Sequence, residues 1–283
     1  MRALPLFVVL VLGLVGTGGA WGQPQLTVGP AIEVSPLTTL ETLEITPPEN
    51  IDPLPLPKAK GAIFVATLDI KPGVVFRIAS GAEHVIYARK RPENLTSFDF
   101  GPWLRPTPKP RQVLYFCNAV NDKKIWYAFG PGHEAVLGSH STYVREVDWG
   151  PGKALYFSEA SGSAKDGRIY KLAPGSPPTV FYTVKLPLVG GFWAGHFAFD
   201  PGGRLHISNG NTSGAQIWAC PPAAKPKSVF KTRGSILGFH FTDRKTFLYT
   251  DGSPRLRKAQ LGGSGSVVFT SPKNHKYCDV VVR

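Results

Sequence analysis

Eight polar residues occupy two recurring positions in this 283-residue sequence. Ser97, Glu146, His196 and Asp279 each head a short apolar-rich run, such as Phe98-Asp99-Phe100 or Val147-Asp148-Trp149. Asn118, Glu159, Asn209 and Asp251 each close a five-residue string. Carboxylates, amides and one imidazole gathered around a common point could bind a divalent cation such as calcium, or a small polar ligand, with Glu146 and Asp279 as the principal oxygen donors. The same residue types also end strands by bonding nearby backbone groups. Which chemistry they serve depends on the elements that carry them.

Those elements repeat. Leu114-Tyr115-Phe116-Cys117-Asn118 recurs as Leu155-Tyr156-Phe157-Ser158-Glu159, Leu205-His206-Ile207-Ser208-Asn209 and Phe247-Leu248-Tyr249-Thr250-Asp251, with a weaker copy at Ile63-Phe64-Val65-Ala66-Thr67. The copies end at 67, 118, 159, 209 and 251, a period of the length found in propeller blades. An alternating run that ends in a turn, such as Phe197-Ala198-Phe199-Asp200-Pro201-Gly202, precedes each string except the first. Two further runs follow it, such as Ile169-Tyr170-Lys171-Leu172 and Val180-Phe181-Tyr182. All are short and bounded by Gly, Pro, Asp or Ser, as strands are. Four strands per unit, a to d, repeated around an axis make a β-propeller.

The first unit lacks a strand a, and Cys278-Asp279-Val280-Val281-Val282 is a strand left over. Residues 61–283 therefore read as an all-β propeller of five blades closed by the C-terminal strand. Six blades are the alternative, if residues 23–60 supply one. The start of strand a and the end of strand b open on one side, so both polar sets are expected at a solvent-facing channel mouth. Gly238 fills the same slot as Glu146, His196 and Asp279, which implies that the slot tolerates glycine and that charge there serves binding.

The strings Phe199-Asp200-Pro201-Gly202-Gly203-Arg204-Leu205-His206-Ile207-Ser208-Asn209 and Phe241-Thr242-Asp243-Arg244-Lys245-Thr246-Phe247-Leu248-Tyr249-Thr250-Asp251 resemble repeats of the NHL and gluconolactonase-type (senescence-marker protein) propeller superfamily. The resemblance implies a propeller. It also implies, for lactonase members, a divalent metal held over the channel by Glu, Asn and Asp, typically including the Asn of an Asn-Gly pair before strand a. The corresponding pairs here are Thr96-Ser97, Arg145-Glu146, Gly195-His196, Leu237-Gly238 and Cys278-Asp279, and none is Asn-Gly.

Composition bounds the rest. Thirty-one Gly and 27 Pro residues disfavour a helix bundle. Arg2 followed by the uncharged run Leu4 to Val15 and the small residues Gly18, Ala20 and Gly22 reads as a secretory signal over residues 1–22, too short to span a bilayer. Residues 23–60, with Pro53-Leu54-Pro55-Leu56-Pro57, read as an extended arm or linker. The chain is thus expected in the periplasm or outside the cell, with no membrane span once the signal is removed. Its formal net charge is +13; Arg2 leaves with the signal and residues 23–60 carry −3, so residues 61–283 carry +15. That charge favours anionic partners, but no nucleic-acid motif accompanies it. Cys117, Cys220 and Cys278 allow at most one disulfide and show no metal-ligand spacing. Two functions fit. The first is an exported binding or scaffold propeller whose channel mouth takes a small polar or anionic ligand, or a protein or glycan partner. The alternative is a metal-dependent lactonase or esterase-like hydrolase.

Overall fold

The computed structural model describes residues 54, 61–91, 93–104, 112–118, 123–160, 167–184, 196–210 and 214–283. The signal expected over 1–22 and, apart from Leu54, the arm expected over 23–60 lie outside the described residues. Of the two units into which the chain divides, 1–35 and 36–283, the second carries the fold.

Among the described residues twenty strands form five antiparallel four-stranded sheets. Blade 1 holds β1 (Ile63–Thr67), β2 (Val74–Ala79) and β3 (Ala82–Ala88). Blade 2 holds β4 (Ser97–Pro102), β5 (Gln112–Cys117), β6 (Lys124–Ala128) and β7 (Glu134–Ser139). Blade 3 holds β8 (Tyr143–Gly150), β9 (Ala154–Ala160), β10 (Arg168–Leu172) and β11 (Thr179–Thr183). Blade 4 holds β12 (Phe197–Phe199), β13 (Leu205–Ser208), β14 (Gln216–Ala219) and β15 (Lys227–Lys231). Blade 5 holds β16 (Gly238–Phe241), β17 (Thr246–Thr250), β18 (Arg255–Gln260) and β19 (Gly265–Thr270). The last strand, β20 (Tyr277–Val282), pairs with β1 and gives blade 1 its inner strand, in register Ile63 to Val282 and Ala66 to Asp279. The ring is a five-bladed propeller closed by its C-terminal strand.

Each blade is apolar on both faces because it is covered by a blade on either side, and this is why the repeated strings are nearly continuous in apolar residues. Leu114 and Phe116 pack with Phe64 and Phe98 between blades 1 and 2. Val113, Tyr115 and Cys117, the alternate residues, pack with Val147, Leu155 and Phe157 between blades 2 and 3. Corresponding clusters lie between blades 3 and 4, 4 and 5, and 5 and 1. Tyr115 and Phe116 are fully buried, and each such side chain contributes roughly 1.5–3 kcal/mol of burial. Leu54 is also buried, in the cluster between blades 1 and 2, and its amide donates to the Phe129 carbonyl at 3.3 Å. One residue of the arm is thereby docked on the ring. Cys117, Cys220 and Cys278 are free and buried. Among the described residues no helix is long and apolar enough to cross a membrane.

Candidate functional site

The register places the first polar set in one slot of the inner strands. Asp279 faces Ala66, Ser97 faces Cys117, Glu146 faces Ser158 and Gly238 faces Thr250. His196 completes the set, its carbonyl accepting the Ser208 amide at 2.7 Å. These side chains reach the following blade. Asp279 Oδ2 accepts the Phe98 amide at 2.9 Å, and Oδ1 accepts the Val280 amide at 2.8 Å. Ser97 Oγ accepts the Val147 amide at 3.1 Å. Glu146 and His196 pair directly through Oε2 and Nδ1.

The expected solvent exposure of this slot is not what the structure has. Glu146, His196 and Asp279 are 3%, 4% and 2% exposed, because the inner strands approach one another closely around the axis. Gly238 is also not a sign of tolerance: a Cβ there would collide with the Asp279 carboxylate and lie 2.6 Å from the Asp279 Cα. Burial pushes the Glu146 and Asp279 carboxyls well above their ordinary range and the His196 imidazole well below its own. Among the described residues His196 Nε2 has no hydrogen-bond partner.

Three members of the second polar set, Asn209, Asp251 and Glu159, bond within their own blades. Asn209 Oδ1 accepts the Gln216 amide at 2.9 Å. Asp251 accepts the Ser253 amide at 3.1 Å and the Arg257 Nε at 2.8 Å. Glu159 accepts the Tyr170 hydroxyl at 3.2 Å and lies 3.9 Å from the Arg168 Nε. Asn118 is buried at the end of its string. Local strand-end bonding is what Asn209, Asp251 and Glu159 do here.

Two residues further along the inner strands is a second slot. It holds Asp99, Asp148, Ala198, His240 and Val281, opposite Tyr115, Tyr156, His206, Leu248 and Phe64. Asp99 Oδ2 accepts the Trp149 amide of blade 3 at 2.6 Å, and Asp148 Oδ2 accepts the Phe199 amide of blade 4 at 3.3 Å. Asp99 Oδ1 accepts the Phe100 amide and the Arg283 Nη2, each at 2.6 Å. Burial first, and then the nearby Asp99, hold the Asp148 carboxyl well above its ordinary range. Burial pushes the His240 imidazole down to about 4.

This slot borders a cavity of about 470 Å³. It lies at the end of the axis where strand a turns into strand b, opposite the end that carries Glu146 and His196. Asp148, His240 and Arg283 supply its polar wall, and Trp149, Phe199 and Phe241 its aromatic one. Trp149 can lie there because position 101 is glycine; a Cβ at Gly101 would strike the indole. Sequence reasoning noted Asp99 and Asp148 but not His240 or Arg283. The signal that finds them is the strand period of two, counted onward from Gly238 and Asp279.

The metal implied by the superfamily resemblance finds no matching donor set. Among the described residues no group of three or more His, Cys, Asp or Glu side chains is placed to hold an ion. Both Asp279 oxygens accept backbone amides, so this carboxyl is engaged within the ring.

No protein-family model matches the sequence, and no curated protein does. The fold is similar to a gluconolactonase from Xanthomonas campestris, at 15% identity over 73% of this chain and 71% of that one, with a TM-score of 0.47. It is similar to a periplasmic gluconolactonase from Pseudomonas aeruginosa, at 15% identity over 80% of this chain and 100% of that one, with a TM-score of 0.41. A catalytically inactive virginiamycin B lyase from Staphylococcus aureus, with quinupristin, matches at 10% identity over 76% of this chain and 72% of that one, with a TM-score of 0.43. At these identities the likeness is one of architecture, and the function of the chain rests on its own site.

Proposed function

We propose that the chain is an exported binding propeller that holds a small polar ligand at the end of its axial channel. The apolar leader at residues 1–22 supports export. The observation that carries the binding reading is the cavity of about 470 Å³, in which Asp148, His240 and Arg283 face Trp149, Phe199 and Phe241. A few convergent polar groups on a partly apolar wall, in a space of this size, are what small-ligand sites have in common. Glu146 and Asp279, in the other slot, are buried and bonded across blades, which lends the hydrolase reading no support.

The test is a thermal-shift titration of the full chain and of His240→Trp, whose larger indole takes up part of the cavity and removes the imidazole from its polar wall. The probes are glucose, maltose, citrate, inorganic phosphate, spermidine and calcium chloride. A ligand at one hundred times its Kd adds about 2.7 kcal/mol, or roughly 5–10 °C for a domain of this size. At least one probe should raise the melting point of the parent protein and leave His240→Trp unmoved. Equal shifts in both proteins, or none in either, would overturn the reading. Hydrolysis of glucono-δ-lactone that requires calcium and survives in His240→Trp would establish the alternative.

A further inference from the structure

The cavity's charges are already matched among themselves. Among the described residues that line it, Arg283 is the only Lys or Arg. Its guanidinium donates to the buried Asp99 at 2.6 Å, while remaining 34% exposed. Asp99 in turn has both oxygens engaged, by the Phe100 and Trp149 amides as well as by Arg283. Asp200, on the same wall, accepts the Gly202 and Arg204 amides at 2.8 and 3.0 Å and lies 3.1 Å from the Arg204 Nε. An anionic ligand would meet only Arg283, already paired with Asp99, and a cationic one would have to compete with Arg283 or Arg204, or draw on Asp148, whose carboxyl is held well above its ordinary range by burial. Desolvating a charged group without a partner is costly.

The groups left with hydrogen-bonding capacity toward the cavity are the Asp148 carboxyl, the His240 ring and the outer N–H groups of Arg283. They offer both donors and acceptors, at the spacing of neighbouring inner strands. Beside them stand three aromatic rings. Trp149 and Phe199 are half-buried and line the cavity, each also packed against a neighbouring ring, Tyr115 and Tyr156 respectively, and Phe241 completes the aromatic lining. Flat apolar faces next to mixed donors and acceptors suit a molecule that is apolar on one side and carries hydroxyls around its rim.

We infer that this cavity binds a neutral polyhydroxylated ligand, a mono- or disaccharide, with its C–H face on Trp149 and Phe199 and its hydroxyls on Asp148, His240 and Arg283. The inference rests on the reading that the cavity is the binding site, and it specifies the ligand class. It also runs against the net charge of the chain, which by itself points to acidic partners.

A matched set of ligands tests it: glucose and maltose as neutral members, glucuronate and glucosamine as singly charged analogues. Binding is followed by calorimetry and by tryptophan fluorescence, on the full chain, Trp149→Phe and Asp148→Asn. Melting curves confirm that each variant is folded, and the conservative Trp149→Phe keeps the test available if Asp148→Asn unfolds. The expected result is binding of a neutral sugar, at least tenfold weaker binding of both charged analogues, and at least tenfold loss in Trp149→Phe together with most of the fluorescence change. Tighter binding of glucuronate or glucosamine that is still lost in Trp149→Phe would overturn the ligand class while leaving the cavity as the site. Sugar binding unchanged in both variants would overturn the site itself. Absence of binding by any of the four would overturn the neutral-saccharide inference, and the citrate, phosphate and spermidine titrations would then decide the site independently.

Discussion

Deleting residues 277–283 removes the strand that closes the ring, and the structure sets the size of the effect. Tyr277, Val280 and Val281 are buried to 3% exposure or less. At roughly 1.5–3 kcal/mol each, their burial alone is worth about 5–9 kcal/mol, an upper figure because unfolded chains already bury part of this surface. The deletion also removes Asp279, leaving the Phe98 amide without its acceptor, and exposes the edge of β1 along its whole length. Domains of this kind are stable by about 5–15 kcal/mol, so the loss is comparable to the whole. The truncated chain is expected to lack a cooperative transition at 25 °C. If half of the burial is recovered by repacking, it should still melt roughly 5–15 °C below the parent. Calorimetry or near-ultraviolet circular dichroism on both proteins measures this. A truncated protein that melts cooperatively within 2 °C or so of the full chain would refute the closure argument, since roughly 1 kcal/mol is all that such a shift allows.

Gly238→Ala should destabilise the fold by about 1–3 kcal/mol, because its Cβ would collide with Asp279. Gly234→Ala, with no heavy atom within 4 Å, is the control; equal melting points for the two variants would refute the account. Stability against pH should show the His240 imidazole. His240, lowered from 6.5 to about 4, supports the fold above pH 6.5, and that contribution is lost as pH falls toward 4. His240→Gln should therefore flatten the acid limb of the melting curve between these values, by up to about 3 kcal/mol. Parallel curves for the two proteins would refute it. Glu146, Asp148 and Asp279, all raised by burial, act in the opposite sense. Their contribution is present below their unfolded values near 4 and is lost as pH rises through the elevated ones. Glu146→Gln should therefore reduce the fall in stability on the alkaline side; an unchanged alkaline limb would count against the raised carboxyl.

The blades were legible because each string of four or five apolar residues is local, and its period of recurrence is a property of one chain read end to end. Closure was legible for the same reason: β20 was surplus where β1 lacked a partner. What the polar slots do was not legible. Glu146 meets His196, and Asp99 meets the Trp149 amide, across about fifty residues of sequence, and the inter-blade distance that makes them partners rather than a solvent-facing cluster is set by packing. Gly238 misled for a related reason. Alone it reads as freedom from constraint, whereas beside Asp279 it is the absence of an atom that would not fit. His240 stood in view within Phe239-His240-Phe241, but its role appears only when Asp99, Asp148 and Arg283 are brought to the same end of the axis.

The ties between inner strands are not spread evenly. Asp279 reaches from blade 1 to blade 2, Asp99 from 2 to 3, and Asp148 from 3 to 4. Asp99 and Asp148 share the second slot, whose other members are Ala198 in blade 4, His240 in blade 5 and Val281 in blade 1, and neither an alanine nor a valine side chain can accept an amide. Among the described residues the side-chain ties around the axis therefore lace the arc from blade 1 to blade 4, whereas blade 5 is joined to blade 1 by a backbone bond, from the Tyr277 amide to the Ser253 carbonyl at 3.2 Å. Local opening follows the weakest contacts, so amide hydrogens of blades 2 to 4 near the axis should exchange with solvent last, and those of the blade 5 inner strand first. Blade 5 becomes the hinge side of the molecule. It contributes His240 and Phe241 to the cavity, so the wall best able to shift and admit a ligand is the one that also helps to hold it.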